Sequence, residues 1–481
     1  MTLVNMFFFA HQPERLRPYN LRPNQLRTEA NVHQDLFDDE LNATVFRKVA
    51  HKCYYPATRL LLELARNMRQ ADKPFRLSFG LSGTFLDQAE RYEPDLITIF
   101  QDLAKTGVVE FTGETYYHTL ASLWDDKTEF SRQVELHATR IEQLFGRRPT
   151  VFRNTECLYN NDIARVVKEL GFKGIMTEGV DWILENWRSQ DFLYESVDGL
   201  PILLRNYRYS DDIGYRFPNQ SWEHYPLSAD TFASWCAGNT DEIINLMMDY
   251  EALGEHIWAE TGIFEFIRHV PGAILKYPQL AFTTPTEAVT MLQPRGQISV
   301  GPFETISWAD MERDTSAWLR NEMQQFCFEE LRGMEQTVMQ TENPEFIRAW
   351  RLLQTSDHLY YLCDKSLSDG DVHTYFSAYG NLFESFVRLQ TAITDLKHAA
   401  MYIDAGVTIS GTADSPHVAN SSAKSTTTVR VSGSESVRRV SSRARTKSEA
   451  ESVHEESTPS TKPKRTRTKK TEESAIEETS L

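Results

Sequence analysis

Two carboxylates and two imidazoles in this chain stand where short apolar runs give way to polar loops. Glu156 follows Val151-Phe152-Arg153-Asn154-Thr155, and Asp249 ends the very apolar run Ile243-Ile244-Asn245-Leu246-Met247-Met248. His11 opens His11-Gln12-Pro13 after Leu3–Ala10, and His118 closes Gly113-Glu114-Thr115-Tyr116-Tyr117-His118 after a run containing Glu110. Glu251, Glu255 and His256 come just after Asp249. An acid at the end of an apolar strand is costly to bury unless it is paired or functional. One such acid is ordinarily structural: Glu156 alone could cap the next helix or pair with Arg153. Two acids and two histidines at successive strand ends point to a shared site. Two carboxylates across a cleft are the apparatus of glycoside hydrolysis, one attacking and one exchanging a proton. Tyr116, Tyr117, Trp124, Tyr159, Trp182, Trp187, Trp222, Trp258 and Trp308 fall mostly in expected loops. They could stack sugar rings, although each taken singly is more often core.

The elements that would hold these groups follow from hydrophobic patterning. Strand-like runs are Leu3–Ala10, Phe75–Gly80, Val108–Gly113, Thr150–Thr155, Gly174–Thr177, Pro201–Asn206, Ile244–Tyr250 and Leu280–Thr284. They are short and apolar without alternation, as parallel strands buried on both faces are. Helical periods run over Val45–Met68, Phe85–Lys105, Glu129–Phe145 and Asn160–Leu170, the last with asparagines at its start and Gly171 at its end. Seven or eight strand-helix units predict an α/β barrel, and reacting groups would gather at the carboxyl ends of its strands. No GxGxxG follows the first strand and no P-loop is present, so nucleotide binding has little support. From about residue 314 the pattern is helical only, over Thr315–Gln340, Glu345–Cys363 and His373–Met401, which predicts a three-helix bundle packed on the barrel. The expected domains are therefore 1–313, 314–403 and a tail, 404–481. That tail is Ser/Thr-rich, mixed in charge and without aromatics after Asp404, and predicts disorder.

Composition narrows the class. The 481 residues are 41% apolar and 11% aromatic with a net charge of −17, as suits a globular enzyme. Residues 412–481 hold 13 Lys+Arg and 10 Asp+Glu, so the rest carries 38 basic against 58 acidic side chains. A body at −20 repels polyanions, and nucleic acid is not an expected partner. No apolar run approaches a membrane span, and Leu3–Ala10 lacks the flanks of a signal peptide. Five scattered cysteines form neither a CxxC zinc pattern nor a disulfide framework, which predicts a reducing cytoplasm and no structural metal. The sequence leaves oligomeric state open.

Five segments in order carry a closer likeness. They are His11-Gln12-Pro13; Gly107-Val108-Val109-Glu110; Phe152-Arg153-Asn154-Thr155-Glu156; Asp249-Tyr250-Glu251-Ala252-Leu253-Gly254-Glu255-His256; and Ile306-Ser307-Trp308-Ala309-Asp310 with Glu312-Arg313-Asp314. Over residues 1–400 the chain resembles glycoside hydrolase family 57, and within it the α-amylase-like members. The resemblance implies an incomplete (β/α)7 barrel with a helical C-terminal region. It implies a retaining mechanism on α-1,4-glucans, polysaccharide or oligosaccharide, with no metal or other cofactor. Glu156 matches the nucleophile and Asp249 the acid/base; His11, Glu110, Trp308 and Asp310 match substrate-binding positions. The chain departs from those members at Cys157, where they have an aliphatic residue, and at Ala252-Leu253, where they have Thr-Phe. A 4-α-glucanotransferase or branching enzyme on the same scaffold, and a glucan-binding protein without turnover, are the alternatives. A metal-dependent deacetylase is poorer, because no tight His/Asp ligand cluster is visible in the sequence.

Overall fold

The computed structural model describes residues 1–18 and 30–404; the expected disordered tail lies outside them. The described strands are β1 (Thr2–Ala10), β2 (Leu77–Leu81), β3 (Val109–Phe111), β4 (Val151–Arg153), β5 (Gly174–Glu178), β6 (Tyr194–Ser196), β7 (Pro201–Arg205), β8 (Ile243–Asp249), β9 (Leu280–Thr283) and β10 (Gln297–Ile298). Every residue of β1 is buried. It runs parallel to β8 along one edge, in a register from Leu3 opposite Ile243 to Phe9 opposite Asp249. Along its other edge β9 pairs with its first half and β2 with its second. β2 pairs with β3, while β4, β5 and β7 form a second parallel run.

The two runs meet at Gly113, whose N–H donates to Val151 O at 2.9 Å and whose carbonyl accepts from Arg153 N–H at 2.8 Å. They meet again where Asn206 N–H donates to Asn245 O at 2.9 Å. The order β1-β2-β3-β4-β5-β7-β8 thus curls back on β1 as an incomplete (β/α)7 barrel. The short strands β6 and β10 flank it beside β7. They are three and two residues long, below what patterning resolves.

The lack of alternation in β1 has a plain cause. Val4, Met6, Phe8 and Ala10 pack outward against helices, while Leu3, Phe7 and Phe9 pack inward with Val151, Met176, Leu203 and Met247. Asn5 also points among the strands, where its amide donates to Asn245 Oδ1 at 3.1 Å and its carbonyl oxygen accepts from Ser78 at 3.1 Å. Each buried polar atom there finds a partner, as it must.

The helix expected over Val45–Met68 is interrupted. An α-helix over Asp39–Val49 passes through a π-turn at Ala50–Tyr54 into a second, Tyr55–Met68. Pro56 has no N–H to give to the carbonyl four residues back, that of Lys52. Gly254 of the fourth motif lies against that carbonyl: a Cβ on it would sit 2.1 Å from Lys52 O, and its φ is +114°. Gly254→Ala should therefore cost about 2 kcal/mol or more. A denaturation midpoint equal to wild type would contradict this reading.

Beyond residue 313 the three expected helices are each broken. The segments are Ser316–Leu319, Glu322–Gly333, Glu335–Gln340, Pro344–Leu353, Ser356–Tyr360, Leu367–Phe376 and Leu382–Asp404. Asn321 and Gln324 close a capping box that restarts the first helix. Asn343 caps the helix that opens at Pro344. The break at Thr355 is a docking point: Thr355 Oγ1 donates to Tyr117 O at 3.1 Å and Ser356 N–H to His118 O at 2.9 Å. The region shares one apolar core with the outer faces of β4, β5 and β7, in which Trp318 and Trp350 are fully buried.

Candidate active site

Glu156 is presented by a tight turn after β4. Asn160, not Glu156, caps the helix Asn161–Glu169, accepting from Ile163 N–H at 2.9 Å. Asn154 ties the turn down, its amide donating to Ser122 Oγ at 2.9 Å and Leu158 O at 3.0 Å. Glu156 itself adopts the left-handed region, φ 54° and ψ 25°, which a glutamate occupies only under constraint. The bland readings of Glu156 are thereby removed: it neither caps a helix nor hydrogen-bonds Arg153.

Its carboxylate is instead a target of three donors. Trp308 Nε1–H donates to Oε2 at 2.7 Å, His118 Nε2 lies 3.1 Å from Oε1, and Ser356 Oγ donates to Oε1 at 3.3 Å. Burial alone would raise its pKa. The His118 hydrogen bond and charge, with Arg153 and Trp308, outweigh that and hold it below the ordinary value.

His118 is bound on both nitrogens, for Nδ1 lies 3.2 Å from Glu114 Oε2. Both nitrogens can donate only in the imidazolium. Burial opposes that charge, but hydrogen bonds to Glu114 and Glu156 push the ring up to about 9. Linkage then has a definite sign. A folded value above the unfolded one gives stability that is complete below about pH 6.5 and lost as pH rises through about 9. We expect the denaturation midpoint to fall across that window, and His118→Gln to flatten the fall. An equally steep fall in the variant would show that another group titrates.

Asp249 is the last residue of β8 and shares the inward face with Met247 and Phe9. Burial, then the Glu156 charge, raises its carboxyl to about 6 against the pull of Arg153, Arg205 and His118. Glu251, close by, is raised to about 8 by burial and then by the Asp249 charge, with Tyr54 OH donating to it. Below that range it is neutral and adds no second negative charge.

His11 joins the group through its ring, stacked on His118 with centroids 4.1 Å apart. Its Nδ1 meets Ser82 Oγ at 2.8 Å and its Nε2 meets Asp357 Oδ2 at 2.9 Å. Burial, then the His118 charge, lowers the His11 pKa against the pull of Asp357 and Glu114. Despite burial, His11 and His118 hold the Asp357 carboxyl well below the carboxylate range.

The structure thus brings Glu156, Asp249, His11 and Trp308 together. Asp310 stands behind them, bound by Lys365 Nζ at 2.7 Å and His373 Nε2 at 3.0 Å. The His373 ring stacks on Tyr360 at 3.8 Å, and Tyr360 senses the charges of Asp310, Glu156 and Asp249. Glu110 is not brought into contact with the pair. Its carboxylate accepts from Thr286 N–H at 2.9 Å and Thr286 Oγ1 at 2.6 Å, at the start of the helix Pro285–Met291. An acid one strand position earlier than a strand end meets that helix start instead of the mouth. His118 is readable as a strand-end imidazole, but not its contact with Glu156. Arg153 lies inside the third motif with no role implied, and Ser356 and Asp357 belong to a helix with no chemical signature.

Among the described residues, Glu14, His33 and Asp39 have ligand atoms within 4.8 Å of one another. Arg91 already supplies the positive charge there, 3.0 Å from Asp39 Oδ1 and 3.6 Å from Glu14 Oε1. No described helix is long and apolar enough to cross a membrane.

Residues 6–301 match the profile of glycosyl hydrolase family 57. A Methanocaldococcus jannaschii protein named "Putative alpha-amylase" is 44% identical over 404 residues, 82% of this chain and 84% of its own. The chain belongs to glycosyl hydrolase family 57 and is a glycoside hydrolase. Its fold is similar to that of the GH57-type branching enzyme of Pyrococcus horikoshii, with a TM-score of 0.56 at 12% identity over 83% of this chain and 95% of that one. It is similar to the 4-alpha-glucanotransferase of Thermococcus litoralis, TM-score 0.55 at 14% identity, over 81% of this chain and 60% of that one. It is also similar to the alpha-amylase AmyC of Thermotoga maritima, TM-score 0.51 at 12% identity, over 84% and 97%. At such identities the likeness concerns the fold.

Proposed function

We propose that the chain is a retaining hydrolase of α-1,4-glucosidic bonds in starch- or glycogen-type glucans, with Glu156 as nucleophile and Asp249 as acid/base. The observation that carries this reading is the convergence of Trp308 Nε1, His118 Nε2 and Ser356 Oγ on the buried Glu156 carboxylate at 2.7, 3.1 and 3.3 Å, beside an Asp249 that burial and the Glu156 charge hold up to about 6. Ionised Glu156 attacks the anomeric carbon while Asp249 gives its proton to the departing glycosidic oxygen. The bond to that oxygen breaks and a glycosyl ester of Glu156 forms. Asp249, now a carboxylate, takes a proton from water as the water oxygen bonds to the anomeric carbon and frees Glu156. His11 and Trp308 border the cleavage point, and we assign them, with Asp310 behind, to the substrate. The name of the M. jannaschii relative supports the substrate class. The five cysteines, all buried free thiols, fit a cytoplasmic enzyme.

Incubating the full chain with soluble starch and with one maltooligosaccharide, then separating the products, tests this. We expect shorter chains only, with the α-anomer released first. Longer products would favour a 4-α-glucanotransferase or branching enzyme, the reading suggested by two of the structural neighbours. No products at all would leave a binding protein.

A further inference from the structure

A third charge stands beside the carboxylate pair. Arg153 ends β4, three residues before Glu156, and is fully buried. A guanidinium presents five N–H donors in a planar fork, and buried ones normally give them to carboxylates or carbonyls. None of the three Arg153 nitrogens has an oxygen or nitrogen partner; the polar side chain within reach is the Cys157 thiol, a weak acceptor. Its plane is held between rings instead, with Cζ 3.9 Å from the Phe9 centroid and 4.3 Å from that of Trp308. Arg205 makes the contrast. It too lies near Trp308, at 5.7 Å, yet bonds Met247 O, Glu178 and Asp211. The neighbourhood can therefore satisfy an arginine and leaves this one without an oxygen acceptor.

A buried charge with so weak a partner is unfavourable, and ring faces offset only part of that. A methionine would fill the space without the penalty. What the arginine adds is a positive charge beside Glu156 and Asp249 that is hydrogen-bonded to neither, and a planar group against Trp308. Trp308 in turn holds Glu156 twice, by Nε1–H to Oε2 at 2.7 Å and by its backbone N–H to Glu156 O at 3.2 Å.

We propose that Arg153 is the positioning residue of the pair, acting on both carboxyls through its charge and on Glu156 through the Trp308 it packs against. This rests on the assignment of Glu156 and Asp249 made above. Its nitrogens are sealed from solvent, so it touches no substrate atom. Glu156 is also faced by His118, Ser356, Trp308 and Asp249, and Asp249 by Glu156, Glu251, Arg205 and His118. Tyr360 lies near both. These groups remain when Arg153 is replaced, so the expected shift is partial.

The test compares wild type, Arg153→Met and Arg153→Lys as full chains acting on an aryl α-maltooligoside. Removing a cation makes both carboxylates harder to form. Arg153→Met should move both limbs of the kcat/KM profile to higher pH together, by on the order of one unit. It should lower kcat by roughly 10- to 100-fold with little change in KM. Arg153→Lys should restore both limbs but only part of kcat, because an ammonium cannot fill the slot between two rings. A lower melting temperature with unmoved limbs would assign Arg153 to packing and overturn the proposal. Should Arg153→Met fail to fold, Trp308→Phe serves: loss of the indole N–H should raise the acid limb alone, and an unchanged profile overturns the coupling. Carboxyl ¹³C titration of the labelled protein reads the same shifts without substrate. A wild type that cleaves no α-glucoside thus sinks the functional assignment, and the titration still decides the role of Arg153.

Discussion

Replacing Glu156 with glutamine should remove turnover by at least about 10⁴-fold while leaving the fold intact. The amide fills the carboxylate's volume and can still accept from Trp308 Nε1–H, now 2.7 Å away. It cannot attack an anomeric carbon. Part of the loss will be indirect. His118 keeps Glu114 but loses one of the two carboxylates that stabilise its charged form, so its pKa should fall from about 9. Mass spectrometry after a fluoro-sugar probe should place the covalent label on Glu156 of the wild type. Labelling on another residue, or release of the inverted anomer, would end the nucleophile assignment.

Asp249→Ala should produce the second large loss, and one that chemistry can partly reverse. With its carboxyl at about 6, the free enzyme should lose kcat/KM as pH rises through that region, since the proton needed by the leaving oxygen is then absent. The acid side belongs to Glu156, whose carboxyl is held low, and the two titrate as a coupled pair. Esterifying Glu156 removes the negative charge that raises Asp249, so Asp249 becomes the base required by the second step. The alanine variant should lack the basic limb. A substrate with a good leaving group should recover much of the first step, and azide should give a β-glycosyl azide from an α-glucoside. A variant that keeps the wild-type basic limb and ignores azide shows that another acid, Glu251 first, does this work.

The elements that bear the carboxylates were readable because each is a short apolar run ending abruptly in a polar residue. Burial on both faces of β1 erased alternation, and that absence was itself the signal of a parallel strand. The motif pairs Glu156 and Asp249, and His11 with them, stand together as their strand-end positions imply. Glu110 shows the limit of that inference. The residue sits mid-strand, where one step of register decides whether a side chain meets the mouth or the start of a helix, and patterning does not resolve one step. Ser356 and Asp357 were illegible for another reason. The apolar period of 345–363 runs straight across the break at Thr355, and the break follows from bonds to Tyr117 and His118 that lie far away in sequence. The interruption at Ala50–Tyr54 had a local cue in Pro56, whereas the ring clamp on Arg153 needs three strand-distant residues and had none.

That break at Thr355 bears on how the enzyme comes into being. The donor Ser356 and the His11 partner Asp357 are delivered after every barrel strand has been synthesised. A chain emerging from the ribosome can form its barrel first, as N-terminal parts generally do. The carboxylate turn would then lack one donor, and His11 its aspartate, until the helical region docks. A nascent or prematurely stopped polypeptide ending near residue 313 should therefore be catalytically silent. Under the function proposed above, activity should be a late event of synthesis, acquired when the segment bearing Ser356 and Asp357 docks on Tyr117 and His118.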